Sequence, residues 1–99
     1  MSTLDVKTQY FTADGFVGGA SVGNFVPARI RGYHALCGGG AGSLILRDGG
    51  PAGPIVYQTL TPGSATTFIE AKFPQHGVFC RESIYVDITN LQSVTIFYY

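Results

Sequence analysis

Ser43-Leu-Ile-Leu-Arg-Asp-Gly-Gly-Pro-Ala-Gly-Pro-Ile-Val-Tyr-Gln-Thr-Leu60 is the stretch from which the fold can be read. Two short apolar runs, Ser43–Leu46 and Ile55–Leu60, flank six consecutive residues, Asp48–Gly53, drawn only from Asp, Gly, Pro and Ala. Asp and Gly accept positive-φ turn geometry, while Pro fixes φ and removes a backbone donor. No helix passes through such a block, so the flanking runs read as β-strands joined by a loop.

The same grammar continues on both sides. Ala28–Cys37 reads as a strand, and Gly38–Gly42 as a turn or flexible connection. Thr61-Pro62-Gly63-Ser64 turns the chain into a strand over Ala65–Phe73, which Pro74-Gln75-His76-Gly77 ends. Val78–Cys80 is a short strand before Arg81-Glu82-Ser83. The tail from Val78 to Tyr99 lacks Gly and Pro, so a helix competes there, with Ile84, Ile88 and Leu91 on one face. Eight β-branched and five aromatic residues decide for strands. Ile84, Val86 and Ile88 alternate with Tyr85, Asp87 and Thr89, then Asn90–Ser93 turns, and Val94, Ile96 and Tyr98 alternate with Thr95, Phe97 and Tyr99. The expected fold is all-β: an antiparallel β-sandwich or jelly-roll-like barrel of about seven to eight short strands. Its expected core contains Leu44, Leu46, Ile84, Val86, Ile88, Val94 and Ile96.

Residues 1–27 read differently from the core at 28–99, although the chain is a single domain. Leu4–Thr12 is a candidate strand with Val6, Thr8, Tyr10 and Thr12 on one face. Ala13–Pro27 then carries Gly15, Gly18, Gly19, Gly23 and Pro27 among Phe16, Val17, Val22 and Phe25. Glycines weaken any regular element there, yet the apolar side chains need cover. Two readings stay open: an arm or loop packing on a neighbouring subunit, or a hairpin closing the domain's own core. On the first, Phe16, Val17, Val22 and Phe25 are the candidate partner interface.

Charge narrows the function. Six basic and six acidic residues give zero net charge over 99 residues, about half the usual charged fraction of roughly 25%. Zero net charge removes the repulsion that keeps small domains apart, so a homo-oligomer or a bound layer is expected. The absence of a basic cluster argues against nucleic acid as a partner. No run reaches the ~18 apolar residues of a membrane helix. The start shows no secretory pattern, so a cytosolically made, unprocessed chain is expected.

Chemical motifs are sparse. Gly38-Gly39-Gly40-Ala41-Gly42 lacks the Lys-Ser/Thr of a phosphate loop and precedes a strand rather than a helix. His34 with Cys37 and His76 with Cys80 could supply zinc ligands. The odd separation of His34 and Cys37 places them on opposite faces of a strand, and buried free thiols are the simpler reading. No nucleophile motif is present, and Asp14, Asp48 and Asp87 read as turn or solvent-face residues. No catalytic residue, cofactor or metal is expected. The aromatics at Tyr33, Tyr57, Tyr85 and Tyr99 raise a sugar-binding surface as an alternative to packing.

From Arg29 onwards the chain resembles small virion structural proteins of tailed bacteriophages. The resemblance is carried by Arg29-Ile30-Arg31-Gly32, Ala41-Gly42-Ser43-Leu44-Ile45-Leu46-Arg47-Asp48-Gly49-Gly50 and Thr59-Leu60-Thr61-Pro62. It continues in Ile84-Tyr85-Val86-Asp87-Ile88-Thr89-Asn90 and Ser93-Val94-Thr95-Ile96-Phe97-Tyr98. It implies a β-sandwich capsid decoration (cement) protein in the virion, assembled in the host cytoplasm and bound to the major capsid protein or another virion protein. A neck, tail or fibre-associated subunit, or a carbohydrate-binding β-sandwich module, is the alternative.

Overall fold

The computed structural model describes residues 6–63, 67–74 and 76–99. Among them lie nine strands: β1 (Lys7–Phe11), β2 (Gly15–Phe16), β3 (Ala28–Cys37), β4 (Gly42–Asp48), β5 (Ile55–Thr61), β6 (Phe68–Lys72), β7 (Val78–Cys80), β8 (Ile84–Thr89) and β9 (Leu91–Tyr98). One 3-10 turn, Val17–Gly19, is the sole helical piece among the described residues. The expected strand over Ala28–Cys37 has the boundaries read from sequence. Leu4 and Asp5 of the expected first strand, Ala65 and Thr66 of the expected strand over Ala65–Phe73, and Ser64 and Gln75 of the two expected turns lie outside the described residues.

Strand order explains how so short a chain encloses a core. The first sheet runs β1-β9-β3-β6, with β7 pairing the other end of β3; the second runs β2-β8-β4-β5, and every pairing is antiparallel. The pairs β4–β5, β3–β6, β2–β8 and β1–β9 are successive rungs of one long doubled ribbon folded at the Asp48–Pro54 loop. Rolling that ribbon brings β9 beside β3 and β8 beside β4. A rolled hairpin of eight principal strands, with β7 as a short addition, is a jelly roll.

Alternation decides what the sheets enclose. Ile30, Leu44, Leu46, Ile84, Val86, Val94 and Ile96 are fully buried between them, joined by Val17, Tyr33, Ala35 and Cys80. Of the expected core, Ile88 is only partly buried, because it lies near the open end of β8 and packs against the cluster from its edge. The expected turn at Asn90–Ser93 is shorter than read: Asn90 alone turns the chain, at φ 53°, and Leu91–Ser93 already belong to β9. Asn tolerates the left-handed region, so a one-residue reversal suffices there.

Residues 7–16 are not an appendage. β1 and β2 enter different sheets, as edge partners of β9 and β8. Gln9 ties these two edges together: its side-chain amide donates to the Phe16 carbonyl at 3.2 Å and its Oε1 accepts the Gly18 N–H at 2.8 Å.

Candidate functional site

At one end of the sandwich three connections meet: residues 17–27, the loop 49–54 and the turn 81–83. Asp48, at the end of β4, organises them. Its carboxylate accepts the backbone N–H groups of Arg81 (3.0 Å), Glu82 (2.9 Å) and Ser83 (3.2 Å). A carboxylate receiving several amides makes charge-assisted bonds, which hold a turn more firmly than neutral ones. Ser83 is fully buried and passes the order on. Its Oγ accepts the Val26 N–H at 2.8 Å and donates to the Glu82 carbonyl at 2.6 Å, while its own carbonyl accepts the Gly49 N–H at 2.8 Å.

This framework fixes the segment expected to meet a partner, and it separates the four residues named for that role. Val17 is 2% exposed and belongs to the domain's own core, so its side chain offers no outer surface. Phe16 is half-buried: its ring meets Tyr85 edge-on at a centroid distance of 4.9 Å. It also lies over Gly50, whose φ of 132° and missing side chain leave that space. Val22 and Phe25 do face outward, at 73% and 38% exposure. Val22 caps the tight Ser21–Asn24 turn, closed by reciprocal backbone bonds of 3.0 and 2.9 Å with Gly23 at φ 82°. Val26, which the sequence did not single out, is 40% exposed beside them. Three solvent-facing apolar residues within five positions, on a hydrogen-bonded scaffold, form the candidate contact surface. Phe16 and Val17 thus help close the domain's own core, as the second reading of this segment has it, while Val22, Phe25 and Val26 lie outside it.

A second surface is the outer face of the first sheet. A cleft of about 430 Å³ opens there between Val6, Arg31, Gly32, Lys72 and Phe97. Nearby, His34 stacks on Phe68 at 5.0 Å across the β3–β6 pair, and Tyr10 is 65% exposed. Strands of this sheet carry Lys7, Arg29, Arg31 and Lys72 against Glu70 alone, whereas β4 and β8 carry Asp48 and Asp87 beside Arg47. The chain is neutral as a whole and polarised between its sheets. The tyrosines considered for sugar contact mostly serve packing instead. Tyr33 is buried and shares a 2.9 Å hydroxyl bond with Tyr57, and both rings pack against Phe73. Tyr99 donates to the His76 carbonyl at 3.2 Å.

Cys37 and Cys80 are free and buried at opposite ends of β3, since Cys80 pairs with Ala28. His34 is exposed and Cys37 is not, as their odd spacing requires. Among the described residues no group of three or more His, Cys, Asp or Glu is placed to hold a metal ion. Burial first, and Asp48 second, push the Cys80 thiol from its ordinary 9.0 up to about 12. Burial, then the Tyr57 hydroxyl, pushes Tyr33 upward too. Burial, then Asp14 and Asp87, raises Tyr85 against the opposing effect of Arg47. A raised pKa means that the folded state holds the proton more tightly than the unfolded chain. Stability from these groups is therefore intact below pH 9 and lost as pH rises toward 12, at up to about 1.4 kcal/mol per pH unit for Cys80. Thermal melts at rising pH are expected to show a flat midpoint to pH 9 and a decline above it.

The chain matches no protein-family model, no curated protein and no solved structure.

Proposed function

We propose that this chain is a non-enzymatic structural protein of a virion. The favoured role is a capsid decoration subunit that adheres to the major capsid protein, with a neck, tail or fibre-associated position as the alternative. The observation that carries the reading is the outward-facing trio Val22, Phe25 and Val26, held by the Asp48–Ser83 network on a domain of zero net charge. Rigidly presented apolar side chains bind with little ordering cost, and repetition over a particle multiplies weak contacts. Jelly rolls serve as viral capsid and lectin domains, which is an analogy of architecture and supports the role only at that level. Self-association belongs to the same reading.

Quantitative mass spectrometry of particles from the virus encoding the chain tests it. The expected result is a stoichiometric component whose occupancy falls at least about tenfold in Val22→Ser/Phe25→Ser, with the β-sheet spectrum unchanged. Absence from the particles would overturn the reading.

The cleft beside Phe97, with Arg31 and Lys72 at its rim, favours a second reading as a module for anionic carbohydrate. A glycan array on the purified protein distinguishes it, with Lys72→Gln expected to abolish any acidic-glycan signal.

A further inference from the structure

An open sandwich has four lateral edges, and three of these are closed to further pairing. On the first, β1 carries Lys7, and the Gln9 side chain clasps it to residues 16–18. On the second, β2 is two residues long, and beyond it the Ile88 N–H of β8 is taken by the Asp14 carboxylate at 2.8 Å. On the third, β6 spans five residues and carries Glu70 and Lys72, and β7 beyond it spans three. Short strands, charges and side-chain covers are the devices by which proteins keep sheet edges from pairing.

Among the described residues the fourth edge has neither a charge nor a short strand, and the sole side-chain bond to its backbone is from the Thr59 hydroxyl to the neighbouring Leu60 carbonyl at 3.3 Å. β5 reads Ile-Val-Tyr-Gln-Thr-Leu-Thr, seven residues without a charge or a proline, bounded by Pro54 and Pro62. It pairs with β4 on one side, and among the described residues no strand lies on the other. Its one irregularity sits at the Ile55 end, where the register steps from Tyr57 to Ile55, so Tyr57–Thr61 is straight. Leu60 stands 77% exposed on that stretch and Ile55 47% exposed at its end.

We propose that Tyr57–Thr61 is a dimerisation edge, pairing antiparallel with the same strand of a second copy to join two four-stranded sheets into one of eight strands. This deepens the self-association part of the reading above and rests on it, independently of any particle. A second copy suits the edge because a two-fold interface sets a patch against itself, and an uncharged patch meets no like charge when it does so. Pairing centred on Thr59 sets Thr59 against its own copy, Tyr57 against Thr61, and Leu60 against Gln58. Cross-strand threonine pairs are favourable, and Leu60 becomes covered. Main-chain hydrogen bonds supply the affinity, as in other strand additions.

Sedimentation velocity and hydrogen exchange on the whole chain test this. The wild-type protein is expected to form a dimer, with the amides of 57–61 gaining protection as concentration rises. Gln58→Lys/Leu60→Lys sets two ammonium groups opposite two from the other copy and is expected to weaken the dimer by about 100-fold or more. Both side chains are exposed, so the circular dichroism of the variant is expected to stay that of the wild type. Val22→Ser/Phe25→Ser is expected to leave the dimer intact. A dimer that survives the lysine substitutions, or one lost in the Val22/Phe25 variant, overturns the β5 pairing and leaves self-association standing. A wild-type chain that remains monomeric, or whose 57–61 amides gain protection only on adding an extended peptide of another protein, overturns both.

Discussion

Ile96→Ala is expected to remove about 2–5 kcal/mol of folding stability. Ile96 is fully buried on β9, the strand between β1 and β3, where it lies opposite Gln9 on one side and Tyr33 on the other. Neighbours on both flanks are fixed by backbone ladders, so the space vacated by the side chain cannot collapse. Transfer energy and cavity cost then add. For a domain of this size the loss takes a large part of a total of about 5–15 kcal/mol. At about 4–8 °C per kcal/mol, the melting midpoint is expected to fall by about 10 °C or more. Ile88→Ala offers the internal comparison. Ile88 alternates in sequence as regularly as its neighbours, yet it is only partly buried at the end of β8, so a smaller loss is expected in urea titration. Equal losses at the two positions would show that the end of β8 is as enclosed as the centre of β9.

Gly42→Val is expected to be more severe, costing about 3 kcal/mol or more or preventing soluble folding. A Cβ at Gly42 would overlap the carbonyl oxygen of Thr89 and sit 2.9 Å from the Asn90 Cβ. Both obstacles belong to the β8–β9 reversal, whose backbone cannot yield without breaking the neighbouring Ser43–Thr89 pair. Gly39→Ala, three residues earlier in the same glycine run, has nothing within 4 Å of the added methyl. It is expected to change stability by no more than about 0.5 kcal/mol. Soluble yield and urea midpoints of the two variants check the contrast. The run Gly38–Gly42 reads from sequence as one turn or flexible connection, and the structure divides its glycines into two that a Cβ would bring into overlap, Gly38 and Gly42, and two that have room for one, Gly39 and Gly40.

That division marks what was legible and what was not. The strands at Ala28–Cys37, Ser43–Leu46, Ile55–Leu60 and Ile84–Thr89 were readable because β-branched alternation and Gly/Pro blocks act on a few adjacent residues. The opposite facing of His34 and Cys37 was readable for the same reason. Alternation fails where the backbone slips. Ile30 and Tyr33 are three apart and both face inward, because the β3–β9 register shifts between Ile30 and Gly32. The local mark of that bulge is Gly32, a lone glycine inside an otherwise regular strand.

The candidate surface was half legible: Ala13–Pro27 stood out as apolar and glycine-rich, but only packing turned Val17 in and left Val22 and Val26 out. Asp48 reads as a loop acid, and its three amide partners lie more than thirty residues away. By itself, then, the sequence determined an all-β chain, its turns and most of its inward residues, since those follow from local backbone preference and side-chain period. Tertiary structure alone decided the rolled order that sets Lys7 beside Tyr98 and the clasp and cap made by Gln9 and Asp48, and it left β5 as the bare edge. These are pairings between distant segments, chosen by which backbone groups and apolar faces satisfy one another once the whole chain is folded.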